Sequence, residues 1–252
     1  MKESSNGHAL SVSNLRFSYP DGPVALDGIG VSVDAGEKVG LIGPNGAGKT
    51  TLFLSICGVL KPDEGGISLF GSSVEAGTFR PEIGLVFQNP DDQLFCPSVR
   101  EDVAFGPRNM GFSKEEIEAR VKEAMLDAGV EGFAERAPHH LSGGEKRMVS
   151  IAGALAMKPK LIAYDEPSAN LDIRSRRRLI RFLQNSDHTV LLSSHDLELV
   201  LEVCDRVVLM DDGNIVAEGD PRQLMGDEDL MEKHGLEKPH SLVPHGNTRH
   251  GT

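Results

Sequence analysis

Apolar and polar positions alternate along the first third of the chain with the two-residue period of half-buried strands. Ala9 to Tyr19 carries this pattern and Ile29 to Val33 repeats it. Gly66–Phe70 and Ile83–Phe87 are further short strand candidates between turn signals such as Pro62-Asp63. From Pro90 to about Lys158 the period changes. Within Glu115–Ala128, Ile117, Val121, Ala124, Met125 and Ala128 fall at offsets of 0, 4, 7, 8 and 11, which form one helix face. Ser113 and Glu116 predict a capping box where that helix starts. After Pro159 strands return at Leu161–Tyr164, Thr189–Leu192 and Arg206–Met210, with helices predicted between them. From about Gly226 the chain turns polar and rich in Gly, Pro and His, which predicts a loosely held tail over 226–252. The pattern describes one α/β domain over residues 1–225 with a strand-rich beginning and an inserted α-helical subdomain at about 90–158. No internal repeat and no long heptad array interrupts it.

The chemistry concentrates where one of these strands ends. After the β-rich run Lys38–Ile42 the sequence reads Gly43-Pro44-Asn45-Gly46-Ala47-Gly48-Lys49-Thr50, a full match to G-x-x-x-x-G-K-[ST]. Glycines at 43, 46 and 48 permit backbone turns that aim successive N–H groups at phosphate oxygens. Lys49 can reach β- and γ-phosphates, and the Thr50 hydroxyl can ligate Mg²⁺. Thr51 begins a helix-compatible run to Cys57, so the loop opens a helix whose dipole favours anions. Strand, loop and helix together specify a nucleoside triphosphate site on a P-loop core.

Composition narrows what such a site can serve. The 252 residues carry 26 basic against 38 acidic side chains, a formal net charge of −12, which argues against a nucleic-acid partner. Cys57, Cys96 and Cys204 are widely spaced and form no C-x-x-C pair, as expected of reduced packing residues in a cytosolic protein. No run approaches the roughly 18 apolar residues that cross a bilayer, so any membrane association is expected to come through a partner. Residues 1–8 lack the apolar core of a secretory signal. No Asn-Lys-x-Asp guanine reader is present, which disfavours GTP.

Leu161-Ile-Ala-Tyr-Asp165-Glu166 is an apolar strand ending in two carboxylates. There Asp165 can hold the Mg²⁺ shell and Glu166 can act as base for an attacking water. Leu141-Ser142-Gly143-Gly144-Glu145 precedes an apolar helical run, a second phosphate-binding geometry at a helix N-terminus. This combination resembles the nucleotide-binding subunit of the ATP-binding cassette (ABC) family over about residues 9–225. The resemblance implies a P-loop NTPase core with an N-terminal antiparallel β-subdomain. It assigns Tyr19 to stacking on adenine, Gln88 to the Mg²⁺ and attacking water, and His195, in Ser193-Ser-His-Asp196, to the γ-phosphate. Ser168-Ala-Asn-Leu-Asp172 resembles the segment that passes between subunits. It further implies that Ser142, Gly143 and Gly144 complete the site of the opposite subunit, so that two chains enclose two ATP molecules in a homodimer or a heterodimer with a related ATPase. Two residues depart from the family pattern: Glu145 replaces the usual Gln, and Tyr164 replaces an aliphatic residue. Neither is expected to abolish activity.

Val86–Phe95 with Ser98–Pro107 is similar to the energy-coupling factor (ECF) group of vitamin and metal importers, which implies integral membrane subunits docking near Gln88–Phe95. The Asp91-Asp92 pair would give an acidic surface for cationic coupling helices. Ser168–Ile173, Arg174–Arg178 and Ile151–Met157 look most like the cobalt/nickel ATPases of that group, which implies a peripheral place on the cytoplasmic face of a membrane. The basic run Arg174–Arg178 reads as a solvated helix face. His234, His240, His245 and His250 have spacings that fit no compact metal-ligand turn. A vitamin importer ATPase and a soluble cassette ATPase stay open as alternatives.

Overall fold

The structure is a computed structural model that describes residues 7–20 and 22–243. Its elements are β1 (His8–Ser18), β2 (Val24–Asp34), β3 (Lys38–Ile42), α1 (Lys49–Ile56), β4 (Glu64–Leu69), β5 (Ser72–Ser73) and β6 (Ile83–Val86). The helices α2 (Val99–Asn109), α3 (Lys114–Asp127) and α4 (Gly143–Ala156) follow. The chain continues with β7 (Leu161–Asp165), α5 (Ile173–Asn185), β8 (Thr189–Ser193), α6 (Leu197–Val203), β9 (Arg206–Asp211), β10 (Asn214–Gly219), α7 (Pro221–Leu224) and α8 (Glu228–Lys233). One sheet is antiparallel, in the order β2-β1-β4-β5. The other runs β10-β9-β3-β8-β7-β6, parallel from β9 to β6 with β10 added as an antiparallel edge.

The central parallel strands are apolar throughout because both of their faces are covered. In β7, Leu161 and Ala163 face the core shared with α1 and the antiparallel sheet. Ile162 and Tyr164 face the core shared with α3, α4, α5 and α6. β8 divides in the same way, with Leu191 on the first side and Val190 and Leu192 on the second. The period-two geometry of a strand therefore serves two hydrophobic cores at once. The sheet that results is clamped on both sides and holds the ends of β3, β7 and β8 level.

The alternation from Ala9 to Tyr19 holds with one interruption. Val12 and Leu15 are both buried although three residues apart, because a bulge at Asn14 (φ 45°) inserts one extra residue and returns Leu15 to the inner face. Helix α3 buries Val121, Ala124 and Met125, with Ala128 just beyond its end and Ile117 half-buried, as the offsets predict. The Ser113 hydroxyl accepts from the Glu116 N–H at 3.2 Å, which supplies one half of the expected capping box.

Two expectations are corrected. The tail is not loosely held over its first eighteen residues: α8 buries Met231 completely, and Leu230, Leu236 and Leu242 pack on the same core. His234 joins Asp211 of β9 through Nδ1 at 2.8 Å, and the Ser241 N–H donates to Glu198 at 3.0 Å. These apolar residues are too widely spaced in a polar stretch to read as a helix face. His245 and His250 lie outside the described residues. The run Arg174–Arg178 is likewise more than a solvated face. Arg176 makes a two-pronged pair with Asp196, Arg177 meets Glu202 at 2.5 Å, and Arg178 donates to the carbonyls of Ala128 and Gly129, which ties α5 to the end of α3.

Tyr164 is fully buried, and its hydroxyl has no hydrogen-bond partner among the described residues. Burial alone drives its pKa upward. A buried hydroxyl without a partner costs about 1–3 kcal/mol of lost hydration. Tyr164→Phe is accordingly expected to raise stability by about 1 kcal/mol, a Tm gain of roughly 2–4 °C in a domain of this size, readable by calorimetry.

Candidate nucleotide site

Three neighbouring strands deliver the site. β3 runs into the glycine loop, β7 ends at Asp165, and β8 ends at Ser193, with Leu41 and Asp165 both in register with Ser193. Carboxyl ends of adjacent parallel strands are where α/β sheets place ligands. Gly43, Gly46 and Gly48 have φ of 149°, 84° and 100°, so the loop turns through conformations that non-glycine residues resist. The Lys49 ammonium donates to the carbonyls of Gly43 at 2.7 Å and Pro44 at 3.0 Å, closing the loop on itself. Burial holds its pKa below the ordinary lysine value, against the opposing pull of Glu166 and Asp165.

Asp165 is held at both oxygens: the Thr50 hydroxyl donates to Oδ2 at 2.8 Å and the Ser193 hydroxyl to Oδ1 at 2.6 Å. Glu166 adopts φ 45°, unusual for a side chain with a Cβ, and its N–H donates to the Ser193 hydroxyl at 3.0 Å and the Ser193 carbonyl at 3.2 Å. Strain of this kind persists where the surroundings over-determine it and clusters at functional sites. The turned backbone brings Glu166 Oε2 to the His195 N–H at 2.9 Å. Its buried Oε1 lacks a hydrogen-bond partner among the described residues, with His195 Nε2 3.4 Å away. Buried polar groups are normally paired, so an orphaned carboxylate oxygen in a cleft suits a reacting water.

A cavity of about 280 Å³ is lined by Tyr19, residues 45–51, Gln88, Asp165, Glu166 and His195. Most of the expected residues thus share one cleft. Gly43 and Pro44 serve it through the carbonyls that hold Lys49. At the rim the half-exposed Tyr19 packs edge-on against Phe17, with ring centroids 5.0 Å apart, and its hydroxyl lies 3.2 Å from that of Thr51. A larger cavity of about 540 Å³ lies between the end of α3, α4 and the end of α5, but none of these residues reaches it.

Ser142, Gly143 and Gly144 stand apart at the N-terminus of α4 and do not line the cleft. Gly143 instead borders a separate cavity of about 290 Å³ together with Gln88, Asn89 and Leu171. Glu145 makes a full capping box with Ser142, accepting from its N–H at 2.7 Å and its hydroxyl at 2.8 Å. Those bonds hold the Glu145 carboxyl below its usual pKa and engage the serine proton. Ser193 and Arg147 were missed in the sequence. A serine ending an otherwise apolar strand two residues before a histidine was a usable signal for Ser193, whereas nothing local marked Arg147.

The donor set fits a triphosphate with a divalent cation. Thr50 and Asp165 present hard oxygens side by side, Gln88 faces the same cleft, and the glycine turns allow close backbone approach.

Fold and cleft together define an ATP-hydrolysing cassette, and the chain belongs to the ABC transporter family, whose model matches residues 26–169. No helix among the described residues is long and apolar enough to cross a membrane. The chain is 46% identical over 238 residues to the energy-coupling factor transporter ATP-binding protein EcfA of Methanothermobacter thermautotrophicus, covering 91% of this chain and 76% of that relative. Its fold matches cbiO1 from Clostridium perfringens, part of the ABC transporter complex cbiONQ, at a TM-score of 0.80 and 35% identity over 90% of this chain and 94% of that one. It also matches a dimeric ATP-binding cassette in a post-hydrolysis state bound to ADP and Pi, at a TM-score of 0.74 and 27% identity over 84% and 98% of the two chains.

Proposed function

We propose that this chain is the ATP-hydrolysing subunit of an ECF-type importer, with Co²⁺ or Ni²⁺ as cargo. The observation that carries the reading is the pairing of an intact hydrolytic cleft with an exposed aromatic step formed by the segment that follows Gln88 and helix α2. In the cleft, backbone N–H groups of residues 43–51 and Lys49 bind the phosphates, and Tyr19 stacks on the base. Thr50, Asp165 and Gln88 would hold Mg²⁺, which supplies neutralisation of phosphate charge. Glu166 accepts the proton of the water whose oxygen bonds to the γ-phosphorus as the bond to the ADP oxygen breaks. His195 donates toward the γ-phosphate. Ser142 to Gly144, turned away from their own cleft, suit the nucleotide of a second chain, so closure of a dimer completes each site.

The step is made by Phe95, 63% exposed, and Phe105, 46% exposed, with ring centroids 4.9 Å apart. Asp102 fixes it by accepting the N–H groups of Phe95 at 3.0 Å and Cys96 at 2.9 Å. Asp91, four residues before Phe95, is already paired with Lys146 at 2.6 Å, so the acidic pair offers less free charge than its sequence implies. Aromatic contact is therefore the larger part of this docking surface. The assignment of the cargo draws on the resemblance of 151–157 and 168–178 to cobalt/nickel ATPases, and the likeness to cbiO1 supports it.

The test is reconstitution in vesicles with the membrane subunits expressed alongside it. ATP-dependent uptake of radioactive Co²⁺ or Ni²⁺ is expected, and uptake of a vitamin instead would overturn the metal assignment. Phe95→Ala with Phe105→Ala should abolish co-purification with those subunits while leaving basal phosphate release within about twofold. Retained co-purification would refute the docking surface.

A further inference from the structure

Arg147 is the largest fully buried side chain among the described residues, 1% exposed, and sits in the second turn of α4. Its two terminal nitrogens donate to the backbone carbonyls of Phe87 and Gln88, some sixty residues back along the chain. Its Nε has no acceptor among the described residues, and no carboxylate there lies within ion-pairing distance of it. Burial lowers its pKa to about 10, and the charge of Asp165 acts against that fall.

An arginine in this state is expensive, and an apolar side chain of similar size would fill the space at less cost. What the guanidinium adds is a planar fork that takes two successive carbonyls at once. Those carbonyls belong to the segment where β6 gives way to the loop carrying Gln88, and the Gln88 side chain lines the nucleotide cleft. The N-terminus of the same helix, one turn before Arg147, carries Ser142–Gly144, which do not line that cleft. One side chain therefore spans the gap between the two surfaces that the proposed reading assigns to two different nucleotides.

We propose that Arg147 is a positioning residue that fixes the Gln88 backbone to α4, so that movement of the Ser142–Gly144 tip sets the Gln88 side chain in the cleft of the same chain. The inference rests on the ATPase reading and adds a linkage between the paired sites. Gln88 approaches cation and water from a loop, and loops without such a tie hold position poorly. Lysine in place of Arg147 keeps the charge but loses the planar fork that holds the two carbonyls in one fixed geometry.

The experiment uses the full-length protein with Mg²⁺ and ATP, comparing wild type, R147K, R147M, Q88A and Q88A/R147M. Expected for R147K and R147M are ATP affinity within about threefold of wild type, kcat at least tenfold lower, and a several-fold higher Mg²⁺ requirement. R147M should have no further effect once Gln88 is alanine. Amide hydrogen exchange at residues 87–89 should be faster in both Arg147 variants, with the rest of β6 unchanged. Unaltered kcat and exchange in the variants, or losses in Q88A and R147M that multiply in the double variant, would overturn the proposal. Should R147M fail to fold, R147K carries the same comparison. If wild type releases no phosphate, the ATPase reading fails, and the exchange rates at 87–89 still decide whether the tether exists.

Discussion

Glu166→Gln should retain ATP and lose phosphate release by about 10²–10⁴, the contribution of a positioned general base. The substitution is close to isosteric, and the structure indicates what survives it. The glutamine carbonyl can still accept the His195 N–H that Glu166 Oε2 takes at 2.9 Å, and the strained turn is held through the Glu166 N–H on Ser193, which the side chain does not touch. What disappears is the carboxylate character of Oε1, the buried oxygen that has no hydrogen-bond partner among the described residues. Removing one negative charge near the phosphates leaves nucleotide affinity equal or higher. Because hydrolysis is what reopens the proposed dimer, the variant should accumulate as a closed dimer on Mg²⁺ and ATP. Phosphate release and light scattering on the same sample read both consequences. Turnover near that of wild type would move the base elsewhere in the cleft, with His195 the next group to examine.

The parts of this site that were legible in the sequence are those whose chemistry demands particular residues at short spacing. The glycine loop, the carboxylates at the end of β7 and the Ser142–Gly144 turn each declare themselves within a handful of positions. Helix α3 was legible for a similar reason, since burial on one face leaves a period. What escaped was fixed by contacts distant in sequence. Ser193 donates to the Asp165 carboxylate 28 residues away and accepts the Glu166 N–H 27 residues away, and Arg147 reaches carbonyls 59 and 60 residues away. The strand end marked Ser193 as a candidate without naming its partners, and nothing local marked Arg147. The arginines of α5 looked solvated because their partners, Asp196, Glu202 and the end of α3, lie on other elements. The segment after Gly226 looked loose because a few buried apolar residues, Met231 above all, are diluted among polar ones. Asn14 broke the strand period by a backbone device that composition does not announce.

Gly43→Ala should be among the most damaging single-methyl changes in the chain, and it separates fold from binding within one loop. At Gly43, φ is 149° and a Cβ would lie 2.0 Å from the Met210 carbonyl oxygen and 3.3 Å from the Ala47 Cβ. Met210 sits inside β9, between β3 and β10, so its carbonyl cannot retreat without disturbing the ladder. Backbone strain of about 1–3 kcal/mol and overpacking of about 1–3 kcal/mol then add to roughly 2–6 kcal/mol. That is a large share of a total stability of about 5–15 kcal/mol, and Tm should fall by roughly 5–20 °C. Gly46 gives the contrast. It also has positive φ, at 84°, but a Cβ there meets nothing within 4 Å. Gly46→Ala should cost only about 1–2 kcal/mol for the left-handed backbone. Its methyl would nevertheless enter the lining of the 280 Å³ cleft, where backbone approach to phosphate leaves little room. Thermal unfolding without nucleotide should therefore rank Gly43→Ala far below Gly46→Ala. Binding of a fluorescent ATP analogue well below either Tm should show Gly46→Ala impaired at least tenfold despite its intact fold. Equal stability of the two variants would mean that the Met210 carbonyl yields and that β9 does not set the shape of the phosphate loop.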